Sequence, residues 1–331
     1  MANKIINQTD IIYLCIDNIY NMNLQQLEYI VAVDTHRHFA KAAENCFVTQ
    51  PTLSMMIKKF EEDTGVIIFD RGTHPITPSR EGIEIIKMAR FILSQVRQLE
   101  SYTKELKGEI AGTLRLGIIP TLAPYLLPLI IRPLSINYPN LHIYLKELVT
   151  TDIIQQLKTG DLDAALLATP LHESMLNEHH LFNEEFLAYA ATKDALHKNK
   201  LLLPNQIDPA KLWLLEEGHC LRTQVLNLCE LKKSDAGERF HYEAGSIETL
   251  INLVDKYEGI TIIPELALLN MKPHQKAKVL RFAPPAPVRE ISLVTHETYP
   301  RKAIIQAIKA EVAKALPFKD HTSGKILEIT N

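Results

Sequence analysis

Cys220 stands between His219 and Leu221, with Arg222 two positions on and a second cysteine, Cys229, nine positions on. A thiol attacks an oxidant only as its thiolate, and an unperturbed pKa of about 8.5 means that a reactive cysteine needs neighbours favouring the anion. His219 and Arg222 can supply positive charge or donors, and a helix starting near Cys220 would add its free N–H groups. The first product of oxidation is a sulfenic acid, which another thiol can capture as a disulfide. Two other readings stand beside this one. Both cysteines can be inert core residues, the usual fate of a cytosolic cysteine. Alternatively, cysteine, arginine and threonine together are the equipment of a thiol peroxidase. Cys15 and Cys46 have nothing basic or catalytic beside them and read as structural.

Four cysteines in 331 residues are too few and too dispersed for a secreted disulfide scaffold, and no pair has the CxxC spacing of a zinc site. No metal or cofactor is expected. A net charge of −3, with 46% hydrophobic and 23% charged residues, describes an ordinary globular chain. Between Met22 and Lys107, eleven Lys/Arg meet eleven Asp/Glu, so a basic face could arise only by segregation of charge. The most apolar stretch, Ile118 to Leu134, contains four prolines and Arg132, and the opening residues lack a signal-peptide pattern. A cytoplasmic protein without membrane contact is expected.

The elements that must position Cys220 can be read from periodicity. Leu24 to Gly65 reads as three short helices. Leu27, Ile30 and Val31 share a face of the first, small Ala40, Ala42 and Ala43 lie on the second, and Leu53, Ile57 and Phe60 stripe the third. Thr49 is the expected N-cap of that third helix, with Pro51 in its first turn. This is a helix-turn-helix. Val66–Phe69 and the turn-rich Gly72–Pro75 fit a two-stranded wing, and Ser79 should cap a long helix reaching about Lys107. Along it Ile85, Ala89, Ile92, Val96, Leu99, Thr103 and Leu106 keep a 3.5-residue period, the seam of a coiled-coil dimer; the bland alternative is one buried helix. From Gly112 strands and helices alternate to about Leu316, an α/β pattern with a parallel-rich sheet. Its length suggests two lobes hinged near 187–191 and 284–289. The expected division is 1–21 extension, 22–80 winged helix-turn-helix, 81–108 linker, 109–318 two-lobed domain and 319–331 tail.

Phe39-Ala40-Lys41-Ala42-Ala43-Glu44 and Val48-Thr49-Gln50-Pro51-Thr52-Leu53-Ser54 closely resemble the helix-turn-helix of LysR-type transcriptional regulators. Phe69-Asp70-Arg71 and Ser79-Arg80-Glu81-Gly82 match the wing and linker start of that family, although Ser79 and Glu81 replace its usual Thr and Ala. The resemblance covers residues 22 to about 317. It implies an N-terminal all-α winged helix-turn-helix with a linker helix, then an α/β effector domain like a periplasmic binding protein. Gly117-Ile118-Ile119-Pro120-Thr121, Pro124-Tyr125-Leu126-Leu127-Pro128 and Glu217-Gly218-His219-Cys220-Leu221-Arg222 look like the OxyR, peroxide-sensing branch.

That branch implies Cys220 as the peroxidatic thiol and Cys229 as the resolving one. It puts Thr121 and Thr150 in a peroxide pocket with His219 and Arg222; capping is the equally good bland reading of both threonines. Thr223 stands where an acidic residue is common, and His296 in place of an arginine. Leu221 to Leu231 reads as helix, so if it runs through both cysteines their Cα atoms lie roughly 13 Å apart at ~1.5 Å per residue. A disulfide needs less than about 7 Å, so pairing demands local unwinding, which makes the segment bistable.

Double-stranded DNA, hydrogen peroxide and further copies of the chain (homodimer or homotetramer) are the implied partners. Thr49, Gln50, Pro51 and Thr52 would enter the major groove, Gln50 pairing adenine, Thr52 and Met55 meeting thymine methyls. Lys58 and Arg71 would hold phosphates, or else be solvated charges. The rival within the family is a regulator binding a small metabolite between the lobes, with incidental cysteines. Regular patterning begins at Met22, which is the expected natural start, with 1–21 either upstream of it or a poorly ordered tail. Intact mass of the protein from its native source should therefore lack residues 1–21; a mass including them overturns the expectation.

Overall fold

The computed structural model describes residues 22–331 apart from 193, 199, 230–243, 319, 322 and 328–331. The 1–21 extension, Cys15 and the end of the expected 221–231 helix lie outside the described residues. Two compact units divide the chain, Met1–Arg97 and Gln98–Asn331.

In the first unit, helices α1 (Leu24–His36), α2 (Phe39–Asn45) and α3 (Gln50–Thr64) precede an antiparallel ribbon of β1 (Phe69–Asp70) and β2 (Thr77–Pro78). Each helix starts at a side-chain cap. Asn23 and Gln26 exchange backbone hydrogen bonds of 2.9 and 3.0 Å in a capping box. His38 Nδ1 accepts from Ala40 N–H, and Thr49 Oγ1 from Thr52 N–H. Gly65, at φ +70°, ends α3 in the left-handed conformation. Leu27, Ile30, Val33, Leu53, Ile57 and Phe60 form the core with Ala42 and Ala43.

Helix α4 (Arg80–Glu105) opens where Ser79 Oγ accepts from Gly82 N–H at 2.8 Å. The expected seam mixes two of its faces. Ala89 is buried in the core of the first unit beside Ile86 and Leu93, and Ile85 packs against that core. Ala89 is thus unavailable to a partner. Ile92 and Leu99 are exposed, as are Met88 before them and Leu106 just beyond the helix. A seven-residue repeat matches 3.6 residues per turn only approximately, so one seven-residue pattern cannot tell inward from outward positions.

The second unit is built on strands in the order β4-β3-β5-β9-β6-β7, with β10 beside β9 and β8 beside β6. Strands β3 (Gly112–Ile118), β4 (Leu141–Glu147) and β5 (Ala164–Thr169) are parallel, separated by helices α5 (Ala123–Asn137) and α6 (Thr150–Lys158). The remaining strands alter the expected parallel-rich sheet into a mixed one. Strand β9 (Pro287–His296) runs antiparallel to both β5 and β6 (Leu176–Ala190), and β6 antiparallel to β7 (Ile260–Pro264) and β8 (Val279–Arg281). Strand β6 changes partner between Glu185 and Phe186, from β9 to β7. The passage between the two halves is therefore inside a continuous strand, ahead of the hinge expected at 187–191. The return passage lies between β8 and β9.

Helix α5 continues through Pro128 and Pro133, where interruptions were expected. Pro128 has no N–H for the carbonyl of Pro124, and that oxygen instead accepts from Asn270 Nδ2 at 3.5 Å. Cys220–Leu228 is α7, Ile247–Tyr257 is α8, the single turn Pro273–Lys276 is α9, and Lys302–Ala315 is α10. The expected 319–331 tail is not free along its described part. Strand β10 (Lys325–Ile326) pairs in parallel with Pro287 and Val288 of β9. No helix among the described residues is long and apolar enough to cross a membrane.

Gly82 sits where any Cβ would run into the carbonyl of Ile68. Gly82→Ala should destabilise the first unit by about 1–3 kcal/mol, read as a lower denaturant midpoint with an unchanged slope. An unchanged midpoint would show that α4 and the ribbon separate without cost.

Candidate functional site

Three backbone choices set the position of Cys220. Gly218 adopts φ +94°, His219 is extended, and helix α7 starts at Cys220 itself. Arg222 ties this first turn to the preceding segment: its Nη1 donates to the Leu215 carbonyl at 2.7 Å, and Leu215 bridges to Ala244. The guanidinium of Arg222 thus clamps the first turn of the helix. His219 is buried and directs Nε2 at Glu216 Oε1, 3.5 Å away.

The charge near Cys220 comes from Arg289 on β9. Burial pushes the Cys220 thiol up; Arg289, the Thr150 hydroxyl and the N–H groups of Leu221 and Cys220 all act in the opposite direction. Burial is the largest of these. The surroundings of the thiol are nonetheless built for an anion. Thr150 Oγ1 is buried at the start of α6 and, among the described residues, has no hydrogen-bond partner besides the sulfur that it faces.

Arg289 is itself fixed from two sides. Nε donates to Glu184 Oε2 at 2.8 Å, and both side chains are fully buried. Nη1 donates to Thr121 Oγ1 at 3.0 Å and Nη2 to the Thr121 carbonyl at 3.2 Å. Glu184 completes its set by accepting from Leu266 N–H at 2.6 Å. The sequence-expected Thr121, Thr150 and Cys220 are therefore connected, with Arg289 as the link. Arg289 and Glu184 were missed. They face each other in register on β9 and β6, and Arg289, the one arginine in a mostly apolar strand, was the available signal; Glu184 sits among other polar residues of β6 and gave none. His296 lies seven residues further along β9, roughly 23 Å from Arg289 at ~3.3 Å per residue, with Nδ1 at 2.9 Å from Thr298 Oγ1.

Cys229 caps the other end of α7, donating its N–H to the Val225 carbonyl at 3.1 Å. Burial pushes its thiol up to about 11. Nine residues of helix from Cys220 to Leu228 keep the two cysteines' Cα atoms roughly 13 Å apart. Both are free, as is Cys46, whose thiol burial and the Glu28 carboxylate push up.

On the first unit, Thr49, Gln50, Pro51, Thr52 and Met55 are exposed at and beyond the start of α3. Lys58 is exposed and pairs loosely with Glu62 at 3.4 Å. Arg71 is committed within the chain, to Glu61 at 2.9 Å, Ser54 at 3.3 Å and the Phe39 ring at 5.3 Å. Elsewhere, Glu185, Glu265 and His321 bring possible metal-ligating atoms within 4.8 Å of one another. Arg281 already pairs with both carboxylates, and His321 Nε2 meets Glu265 at 2.7 Å, so the group reads as an ion network that docks the C-terminal segment.

A helix-turn-helix followed in the chain by a strand-helix domain defines a class of bacterial regulator, and the chain is of that class. Residues 24–83 match the family of bacterial regulatory helix-turn-helix proteins of the LysR type, and residues 107–317 match the LysR substrate binding domain. The chain belongs to the LysR family. Within it, the chain is 35% identical over 292 residues to the hydrogen peroxide-inducible genes activator of Haemophilus influenzae, covering 88% of this chain and 96% of that protein. It is 36% identical over 296 residues to the DNA-binding transcriptional dual regulator OxyR of Escherichia coli, again covering 88% and 96%. A full-length OxyR variant from Pseudomonas aeruginosa superposes with a TM-score of 0.74 at 29% identity, covering 89% of this chain and 99% of that one. These relatives set it in the OxyR branch of the family.

Removing the positive charge beside the sulfur should disfavour the thiolate. Arg289→Gln alone would leave Glu184 buried and unpaired, which costs about 3–5 kcal/mol, so Glu184→Gln/Arg289→Gln is the variant to use. Its Cys220 should alkylate more slowly at neutral pH, with the midpoint of the pH–rate profile moved upward from that of the parent. A midpoint that stays or falls would remove Arg289 from the site.

Proposed function

We propose that this chain is a DNA-binding transcription regulator that senses hydrogen peroxide through Cys220 and stores the signal as a Cys220–Cys229 disulfide. The observation that carries the reading is a buried thiol at a helix N-terminus facing Arg289 and the Thr150 hydroxyl, with the second thiol at the far end of the same helix. The thiolate of Cys220 attacks one peroxide oxygen. An S–O bond forms, the O–O bond breaks, and the leaving hydroxide takes up a proton as water. Cys229 then attacks the sulfenic sulfur, forming S–S and releasing the second water. Two thiols are oxidised and one peroxide is reduced.

The Thr150 hydroxyl, whose partner is the sulfur, orients the oxidant, Thr121 positions Arg289, and His219 lines the same loop. The second step requires α7 to unwind, which converts a change at sulfur into a change of fold. The chain works in the cytoplasm, with the exposed row Met88, Ile92, Leu99 and Leu106 available for a second copy, as a homodimer or homotetramer. Ribbon β1–β2 is read as the wing, and the mixed sheet as two lobes like those of a periplasmic binding protein. Gln50, Thr52 and Met55 face the major groove, Thr49 and Pro51 open the recognition helix, and Lys58 meets phosphate. Arg71 supports the ribbon through Glu61. Such an arrangement turns over once per reduction, unlike a thiol peroxidase.

Reduced protein titrated with peroxide should lose two thiols stoichiometrically and change its binding or footprint on DNA upstream of its own gene. Cys220→Ser should bind that DNA as before and give no response. Continued peroxide turnover, or a response that persists in Cys220→Ser, overturns the assignment.

A further inference from the structure

Gln224 lies one turn into α7, between the two cysteines, and is fully buried. Its Nε2 donates to the carbonyl of Leu327 at 2.8 Å, while its Oε1 has no partner among the described residues. A half-satisfied amide in an apolar setting is a poor packing residue, since leucine would fill the space without an orphaned oxygen. What the amide supplies is a tie to the C-terminal segment. That segment is laid along β9: Lys325 N–H donates to the Ala286 carbonyl at 2.8 Å and Leu327 N–H to that of Val288 at 2.9 Å. Leu327 is buried, and Gly324 lies so close to the Val288 side chain that no Cβ fits. The residue after Val288 is Arg289, which faces Cys220. Helix α7, strand β10 and the arginine-bearing end of β9 thus form one connected body.

We propose that Gln224 is a positioning residue that holds α7 in its helical, reduced form by bonding the C-terminal strand, and that disulfide formation releases this strand from β9. The proposal rests on the peroxide-switch reading. Closing the gap of roughly 13 Å between Cys220 and Cys229 requires unwinding the segment that contains Gln224. The amide then leaves Leu327, whose carbonyl is stranded in a buried place until the strand detaches into water. Because the tie exists in only one redox form, it stabilises that form, and by reciprocity breaking the tie favours the other. Without the tie, the Cys220–Cys229 couple therefore lies further toward disulfide.

Full-length protein tests this in two ways. In the parent, hydrogen exchange at the Leu327 amide should be at least tenfold faster in the disulfide form than in the dithiol form. Gln224→Leu cuts the tie from the helix side, and Gly324→Val pushes the strand off Val288 without touching α7. Both should shift the couple about tenfold toward disulfide in a thiol redox buffer, equivalent to a potential about 30 mV more negative. Equal protection of Leu327 in the two forms overturns the proposal. So does a lower melting temperature with an unchanged potential, the mark of a packing role. A shift in only one variant also overturns it, because the effect would then belong to α7 or to β10 alone. If peroxide forms no Cys220–Cys229 bond in the parent, the switch reading itself falls, an outcome visible by thiol trapping before any variant is made.

Discussion

An arginine with no exposed surface has to find all its partners inside the protein, and Arg289 constrains much of what surrounds it. Its desolvation is severe, and Coulomb attraction to one carboxylate offsets it only when the remaining donors are also satisfied. Glu184 supplies the counter-charge and Thr121 the further acceptors, so β6, β9 and the turn after β3 must keep their relative register. The guanidinium is then held by partners that do not include the sulfur. Its field is available to stabilise whatever negative charge develops there, without reorganisation. This resolves an apparent conflict at Cys220, where burial opposes the anion while every nearby polar group favours it. The thiol is shielded from water, and the groups that would receive its charge are already in place.

Much of this was legible in the residues, for identifiable reasons. Local signals carried the first unit. Thr49 and Ser79 are caps recognisable from one residue type at one position, and Gly65 ends α3 as a left-handed residue should. The thiol pair could be read because cysteine is scarce in this chain and its neighbours are polar. What could not be read depends on pairing between distant segments. Arg222 is a neighbour of Cys220 along the chain, whereas Arg289 reaches it only through the fold, and proximity in sequence cannot show the second. The mixed sheet and the docked C-terminus were hidden for the same reason. A two-residue strand has no periodicity, and β10 exists because β9 offers it a partner. Ala89 failed through degeneracy: a seven-residue repeat over a few turns describes inward and outward faces almost equally well.

Helix α7 combines features that are costly separately and useful together. It is short, nine residues, so it has little stability apart from its tertiary contacts. Its two ends carry the thiols, its first turn is clamped by Arg222 to Leu215, and its middle is bonded to the C-terminal strand. Leu221, Val225 and Leu228 also seat it in the core, so an arrangement that replaces the helix has to bury them again. A long amphipathic helix with a continuous apolar stripe would resist such a replacement more strongly.

Strand β6 runs unbroken for fifteen residues, first beside β9 and then beside β7. Ligand-clasping proteins usually join their halves by segments whose torsions can rotate, which lets the halves swing shut like a jaw. A ladder of strand-to-strand hydrogen bonds through the junction behaves more like a stiff beam. A change at the sulfur that left this strand intact would alter the surface of the unit rather than the angle between its halves.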